Sequence, residues 1–148
     1  MVMHRGNKPS QHARVMIIED DEDILLLYKD YLKRKGHTII VSSTTADEAL
    51  RDYDDYKPDL VIVDFKLPGQ KNGLQAASEI LAKHSRAKIL IITAFDHVRE
   101  EMDEAGLSRK NVPILIKPIK LSHLSEIVSR LSYEQQHPAE RLRQDNSS

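Results

Sequence analysis

Apolar residues follow two alternating rhythms along this chain. Short unbroken runs, RVMII (14–18), HTIIV (37–41), DLVIVDF (59–65), AKILIIT (87–93) and VPILI (112–116), are rich in β-branched residues and read as strands. Between them the spacing turns helical. Ile24, Leu27, Tyr28 and Tyr31 fall at i, i+3, i+4 and i+7, which predicts a helix with that stripe inward, closing at Gly36. Thr45-Ala-Asp-Glu48 has the form of a capping box and predicts a helix reaching about Tyr53. Further helices are predicted from about Leu74 to His84, over Val98, Met102 and Ala105 up to Gly106, and along Leu121, Leu124, Val128 and Leu131. Strands that are apolar without alternation are expected to be buried on both faces of a parallel sheet, so the fold class is α/β. Residues 1–13 are polar and predicted to be a disordered leader, 14–132 form one domain, and 133–148 form a polar, fraying tail.

Composition narrows the function. The 148 residues suit one domain with a real core, and a net charge of -1 gives no reason to expect nucleic acid or an anionic membrane. The absence of cysteine excludes disulfides, thiolate catalysis and Cys-ligated zinc. The seven histidines lack metal-ligand spacing and are expected on the surface or in packing. No signal peptide or membrane-length apolar stretch is present, so a soluble, cytoplasmic domain is expected.

One stretch changes this picture. IIEDDEDI (17–24) sets five carboxylates in succession between a strand and a helix. In an open α/β sheet, ligands bind beyond the carboxyl ends of the strands. There the first strand delivers Glu19 and Asp20, the third Asp64, the fourth Thr93, and the fifth Lys117 followed by Pro118. Three carboxylates, a hydroxyl and an ammonium thus converge, and hard oxygen donors without cysteine or paired histidines suit Mg²⁺ or Mn²⁺. Asp21, Glu22 and Asp23 have a separate use, capping the first helix and complementing its dipole. No GxxxxGK[ST] or GxGxxG follows any strand, which argues against a nucleotide site.

IIEDD, VIVDFKLPG, IITA and IKP, in this order and spacing, resemble the receiver domain of response regulators over about residues 14–132. The resemblance implies a flavodoxin-like (βα)5 fold with strand order 2-1-3-4-5. It implies that Asp64 accepts a phosphoryl group and that Glu19, Asp20, Asp64 and the main-chain carbonyl of Lys66 hold Mg²⁺. Thr93 and Lys117 would bond phosphoryl oxygens, Ala94 would leave them room, and Lys117-Pro118 would be cis. It also implies a sensor histidine kinase or phosphotransfer protein as donor, a downstream target protein in place of an attached effector, and homodimerisation through the fourth helix, fifth strand and fifth helix. The domain would be no enzyme beyond its own phosphorylation and dephosphorylation.

The chain departs from the family pattern on the output side. Gly73 lies nine positions after Asp64, one more than usual. Ile114 stands where relatives carry a switching Tyr or Phe, and the interval from Thr93 to Lys117 is long. The segment 105–113 is therefore expected to carry motion in place of an aromatic ring. Two other readings stay open: a pseudo-receiver that binds partners without phosphorylation, and a haloacid-dehalogenase-type phosphohydrolase, whose DxD signature Asp21-x-Asp23 imitates. The latter places its motif at the end of the first strand, where this chain has Glu19-Asp20.

Overall fold

The structure, a computed structural model, describes residues 12–94, 97–107 and 112–137. Most of the expected leader and tail lies outside them, as do 108–111 of the expected moving segment. In chain order the elements are β1 (Arg14–Ile18), α1 (Glu22–Arg34), β2 (Thr38–Ser43), α2 (Ala49–Tyr56), β3 (Leu60–Asp64), α3 (Gly73–Lys83), β4 (Ile89–Thr93), α4 (Val98–Glu104), β5 (Ile114–Ile116) and α5 (Leu121–Gln136). All pairings are parallel, in the order β2-β1-β3-β4-β5. The fold is the expected one.

Strand side chains alternate between two core layers, which is why the runs are apolar throughout. Met16, Ile18, Val61, Val63, Ile89 and Ile91 face α2, α3 and α4, where Tyr53, Ile80 and Met102 cover them. Val15, Ile17, Leu60, Ile62, Leu90 and Ile92 face α1 and α5, under Leu25, Leu32, Leu124 and Val128. Each fully buried Val, Leu or Ile contributes about 1.5–3 kcal/mol, so both layers are needed to offset chain entropy.

Several local expectations are corrected. The buried face of α1 is Leu25, Tyr28 and Leu32, with Ile24 and Tyr31 at its margin; Leu27 is half exposed and Leu26 more so. The run ILLLY allows two helical phases, and packing on the sheet selects the other one. The capping box at Thr45–Glu48 does not form. The helix begins at Ala49 after an N-cap Glu48 without a side-chain bond, while the Thr45 hydroxyl accepts the Asp47 N–H within the turn. A true capping box occurs instead at α3, where Asn72 and Gln75 exchange bonds of 2.8 Å each. Ala105 is exposed, and α5 continues to Gln136, four residues past the expected domain end.

Far from the carboxyl ends of the strands, His37 is buried after the left-handed Gly36. Its Nδ1 accepts the Ala13 N–H at 3.0 Å, and Nε2 has no partner among the described residues. Burial, helped by the neighbouring His12, holds this imidazole below its ordinary pKa. The unfolded chain therefore binds a proton that the folded one refuses. Stability conferred by neutral His37 is present above about pH 6.5 and is lost as pH falls toward the folded value. Urea unfolding followed across this range should show that loss, and His37→Gln should flatten the slope by close to one proton, about 1.4 kcal/mol per pH unit at most.

Candidate functional site

The carboxyl ends of β1, β3, β4 and β5 open on a cavity of about 320 Å³ lined by Asp20, Asp64, Lys66, Thr93, Ala94 and Lys117. Parallel pairing puts these residues together: Asp64 lies beside Ile92, and Thr93 beside Ile116, each at a strand end. A backbone bond of 2.8 Å from the Lys117 N–H to the Thr93 carbonyl ties the last two strand ends directly. The Lys117-Pro118 peptide is cis.

Charge in the site is concentrated and mutually compensated. Oxygens of Glu19, Asp20 and Asp64 lie within 4.8 Å of one another. The Lys117 ammonium donates to Asp64 Oδ2 at 2.8 Å and to Glu19 Oε1 at 3.1 Å. Burial works against a charged Lys117, but these two bonds and charges outweigh it and hold its pKa above the usual range. Glu19 goes up, chiefly through burial and partly through the Asp64 charge, against the opposing effects of the Asp21 N–H and Lys117. Glu19 stands behind the cavity wall, 2% exposed, and its other oxygen accepts the Asp21 N–H at 3.1 Å. Asp20 faces solvent. A donor set of carboxylates is hard and anionic, which fits Mg²⁺ better than a softer metal.

Asp21 is used elsewhere. Its Oδ1 accepts the N–H groups of Asp23 and Ile24 as the N-cap of α1, so Asp21-x-Asp23 is a helix start and not a strand-end DxD pair. Tyr28, on the inward face of α1, is buried, and burial pushes its phenol above its ordinary pKa.

The family model for the response regulator receiver domain matches residues 15–129. This chain belongs to that family. It is similar to the chemotaxis protein CheY of Thermotoga maritima, at 27% identity over 119 residues, covering 80% of this chain and 97% of that protein. It is similar also to the transcriptional regulatory protein PdtaR of Mycobacterium tuberculosis, at 34% identity over 111 residues, covering 75% of this chain but 52% of that protein. A crystal structure of the signal receiver domain of a modulated diguanylate cyclase from Desulfovibrio desulfuricans superposes with a TM-score of 0.72 at 26% identity, covering 84% of this chain and 96% of that one. Receiver domains are two-component signalling modules with an acidic Mg²⁺ pocket.

Within this receiver domain, the β3–α3 loop is gripped at its base. The Gly73 N–H donates to the Phe65 carbonyl at 2.8 Å, and the Lys66 N–H to Asp64 Oδ1 at 3.2 Å. A Cβ on Gly73 would sit 2.1 Å from the Asp64 carbonyl oxygen. The obstructing atoms, the Asp64 carbonyl and the Phe65 Cα at 3.0 Å, are backbone, so they cannot swing aside. Gly73→Ala should destabilise the receiver domain by about 2–3 kcal/mol or more, measured by urea unfolding.

Proposed function

We propose that this receiver domain takes a phosphoryl group on Asp64 in a Mg²⁺-dependent reaction. The observation that carries the reading is the bridging ammonium of Lys117 between Glu19 and Asp64, with Asp20 and Thr93 around the same cavity. Asp20 and Asp64, Glu19 through water, and the Lys66 carbonyl are the residues suited to hold Mg²⁺, whose charge would offset that of the transferring group. A carboxylate oxygen of Asp64 attacks phosphorus in line. The new O–P bond forms as the P–N bond of a phosphohistidine breaks, and the departing imidazole takes up a proton from solvent. Lys117 then exchanges an Asp64 oxygen for a phosphoryl oxygen, and the Thr93 hydroxyl donates to another.

This reading implies a sensor histidine kinase or a phosphotransfer protein as donor and a downstream protein target. The backbone bond between Thr93 and Lys117 supports an output route through β4 and β5: a displacement of one strand end pulls the other. Ile114 packs half-buried against the α2–α4 layer beside Ile91 and has no ring to rotate in response. A homodimer through α4, β5 and α5 is one form the output can take.

Intact-mass spectrometry after incubation with a small acyl phosphate tests the reaction. One phosphoryl group should appear with Mg²⁺ and be lost with excess chelator. A mass unchanged with Mg²⁺ and donor, while a known receiver is labelled in parallel, would refute the reading and favour a phosphorylation-independent module.

A further inference from the structure

The lengthened β3–α3 loop carries Lys66 past the mouth of the cavity, yet its outer part is held from a different loop. Asp47, in the turn between β2 and α2, accepts through one oxygen, Oδ1, the backbone N–H of Gln70 at 2.9 Å and of Lys71 at 3.3 Å. Gly69 has φ +95°, and a Cβ there would meet Asp47 Oδ2 at 2.7 Å and Oδ1 at 2.9 Å, so the carboxylate packs against bare backbone. Successive N–H groups beside a left-handed residue make a concavity that suits an anion, and bonds to a carboxylate are stronger than neutral ones. Gln70 and Lys71 fall in the stretch between Gly69 and the N-cap Asn72, where the resemblance to receiver domains puts one residue more than usual. Lys71 is tied further through its ammonium to Glu79 at 2.8 Å. The loop is thus fixed at its base by Gly73 and Phe65 and at its apex by Asp47.

We propose that Asp47 is a positioning residue for the cation and phosphoryl site. Its carboxylate compensates for the extra residue by clamping the 69–71 turn, which holds the Lys66 peptide at the cavity. This inference rests on reading Asp64 as the phospho-acceptor. It predicts a dependence that vanishes when the loop is shortened.

The full chain is compared as wild type, Asp47→Ala, Asp47→Asn, a deletion of Gln70, and that deletion combined with Asp47→Ala. Mg²⁺ affinity is read by calorimetry, amide exchange of residues 66–72 without metal, and phosphoryl uptake by intact mass. Asp47→Ala should weaken Mg²⁺ binding by about tenfold, the scale seen when a partner of a metal ligand is lost, and should speed exchange in the loop. Its metal-free melting temperature should fall by no more than about a few degrees, the scale of losing two exposed hydrogen bonds. Asp47→Asn, which keeps an acceptor oxygen, should recover part of the affinity. In the deletion background Asp47→Ala should change nothing. The inference is overturned if Asp47→Ala binds Mg²⁺ as wild type does, if it has the same effect with and without Gln70, or if its loss of affinity merely follows a loss of metal-free stability. If Asp47→Ala does not fold, Asp47→Asn at wild-type affinity and loop exchange overturns it equally. Wild type that neither binds Mg²⁺ nor takes up label overturns both readings, whereas labelled wild type with an indifferent Asp47→Ala overturns this one alone.

Discussion

Asp64→Asn should lose phosphoryl uptake by at least about a thousandfold and still fold. Removing a nucleophile from a set that acts as a unit forfeits nearly all of the rate, because the remaining residues have nothing to position. An amide neither attacks phosphorus nor carries the charge that holds a dication. The fold should survive because asparagine is nearly isosteric and its carbonyl oxygen can still accept from Lys66 N–H or from Lys117. Two electrostatic changes oppose each other: Lys117 loses one anionic partner, while Glu19, whose pKa burial and Asp64 together push up, loses a like charge. Intact-mass spectrometry with acyl phosphate and Mg²⁺, alongside circular dichroism, separates loss of chemistry from loss of structure. Label persisting at the wild-type level in a folded Asp64→Asn protein would remove Asp64 from the role.

What the sequence made legible follows from what is local. β1 was readable to the residue, because the apolar, largely β-branched run 15–18 lies directly between Arg14 and the carboxylates from Glu19 on. The helix-capping use of Asp21 was also local and is found as expected. The inward face of α1 was not legible: five consecutive apolar or aromatic residues, 24–28, satisfy two stripes, and only the sheet beneath distinguishes Leu25 from Leu27. Thr45 misled for a related reason. Its spacing to Glu48 matches a capping box, but β2 runs on to Ser43 and the chain must turn, burying Ala46, before a helix can start. At the site, strand-end logic brought Glu19, Asp20, Asp64, Thr93 and Lys117 to one mouth; Asp20, Asp64, Thr93 and Lys117 line the cavity there, and Glu19 lies behind its wall. It did not reveal that Lys117 spans two carboxylates, a contact across 98 positions. Nor did it mark Asp47, since no spacing rule links a turn carboxylate to two backbone donors in another loop.

That bridge has the second large consequence. Lys117→Met keeps an unbranched side chain one atom shorter and removes its charge, leaving Glu19 and Asp64 facing each other with side chains 3% and 9% exposed. Breaking a buried ion pair from one side costs about 3–5 kcal/mol, and Lys117, 21% exposed, is wet enough to bring this to about 2–4. The metal-free variant should therefore unfold at lower urea. Mg²⁺ should then act in the opposite direction from a simple loss of function. In wild type a dication entering the carboxylates must share them with an ammonium already 2.8 Å from Asp64. In the variant that competitor is gone, and a ligand that binds the folded state alone stabilises it in proportion to its affinity. Millimolar Mg²⁺ should raise the melting temperature of Lys117→Met more than that of wild type, while phosphoryl uptake falls because no cation remains to pair with the arriving oxygen. Adding Glu19→Gln should return part of the lost metal-free stability by removing one of the two stranded charges. A Lys117→Met protein as stable as wild type without metal, or one that gains no more from Mg²⁺, would show that the ammonium neither balances these carboxylates nor competes for them.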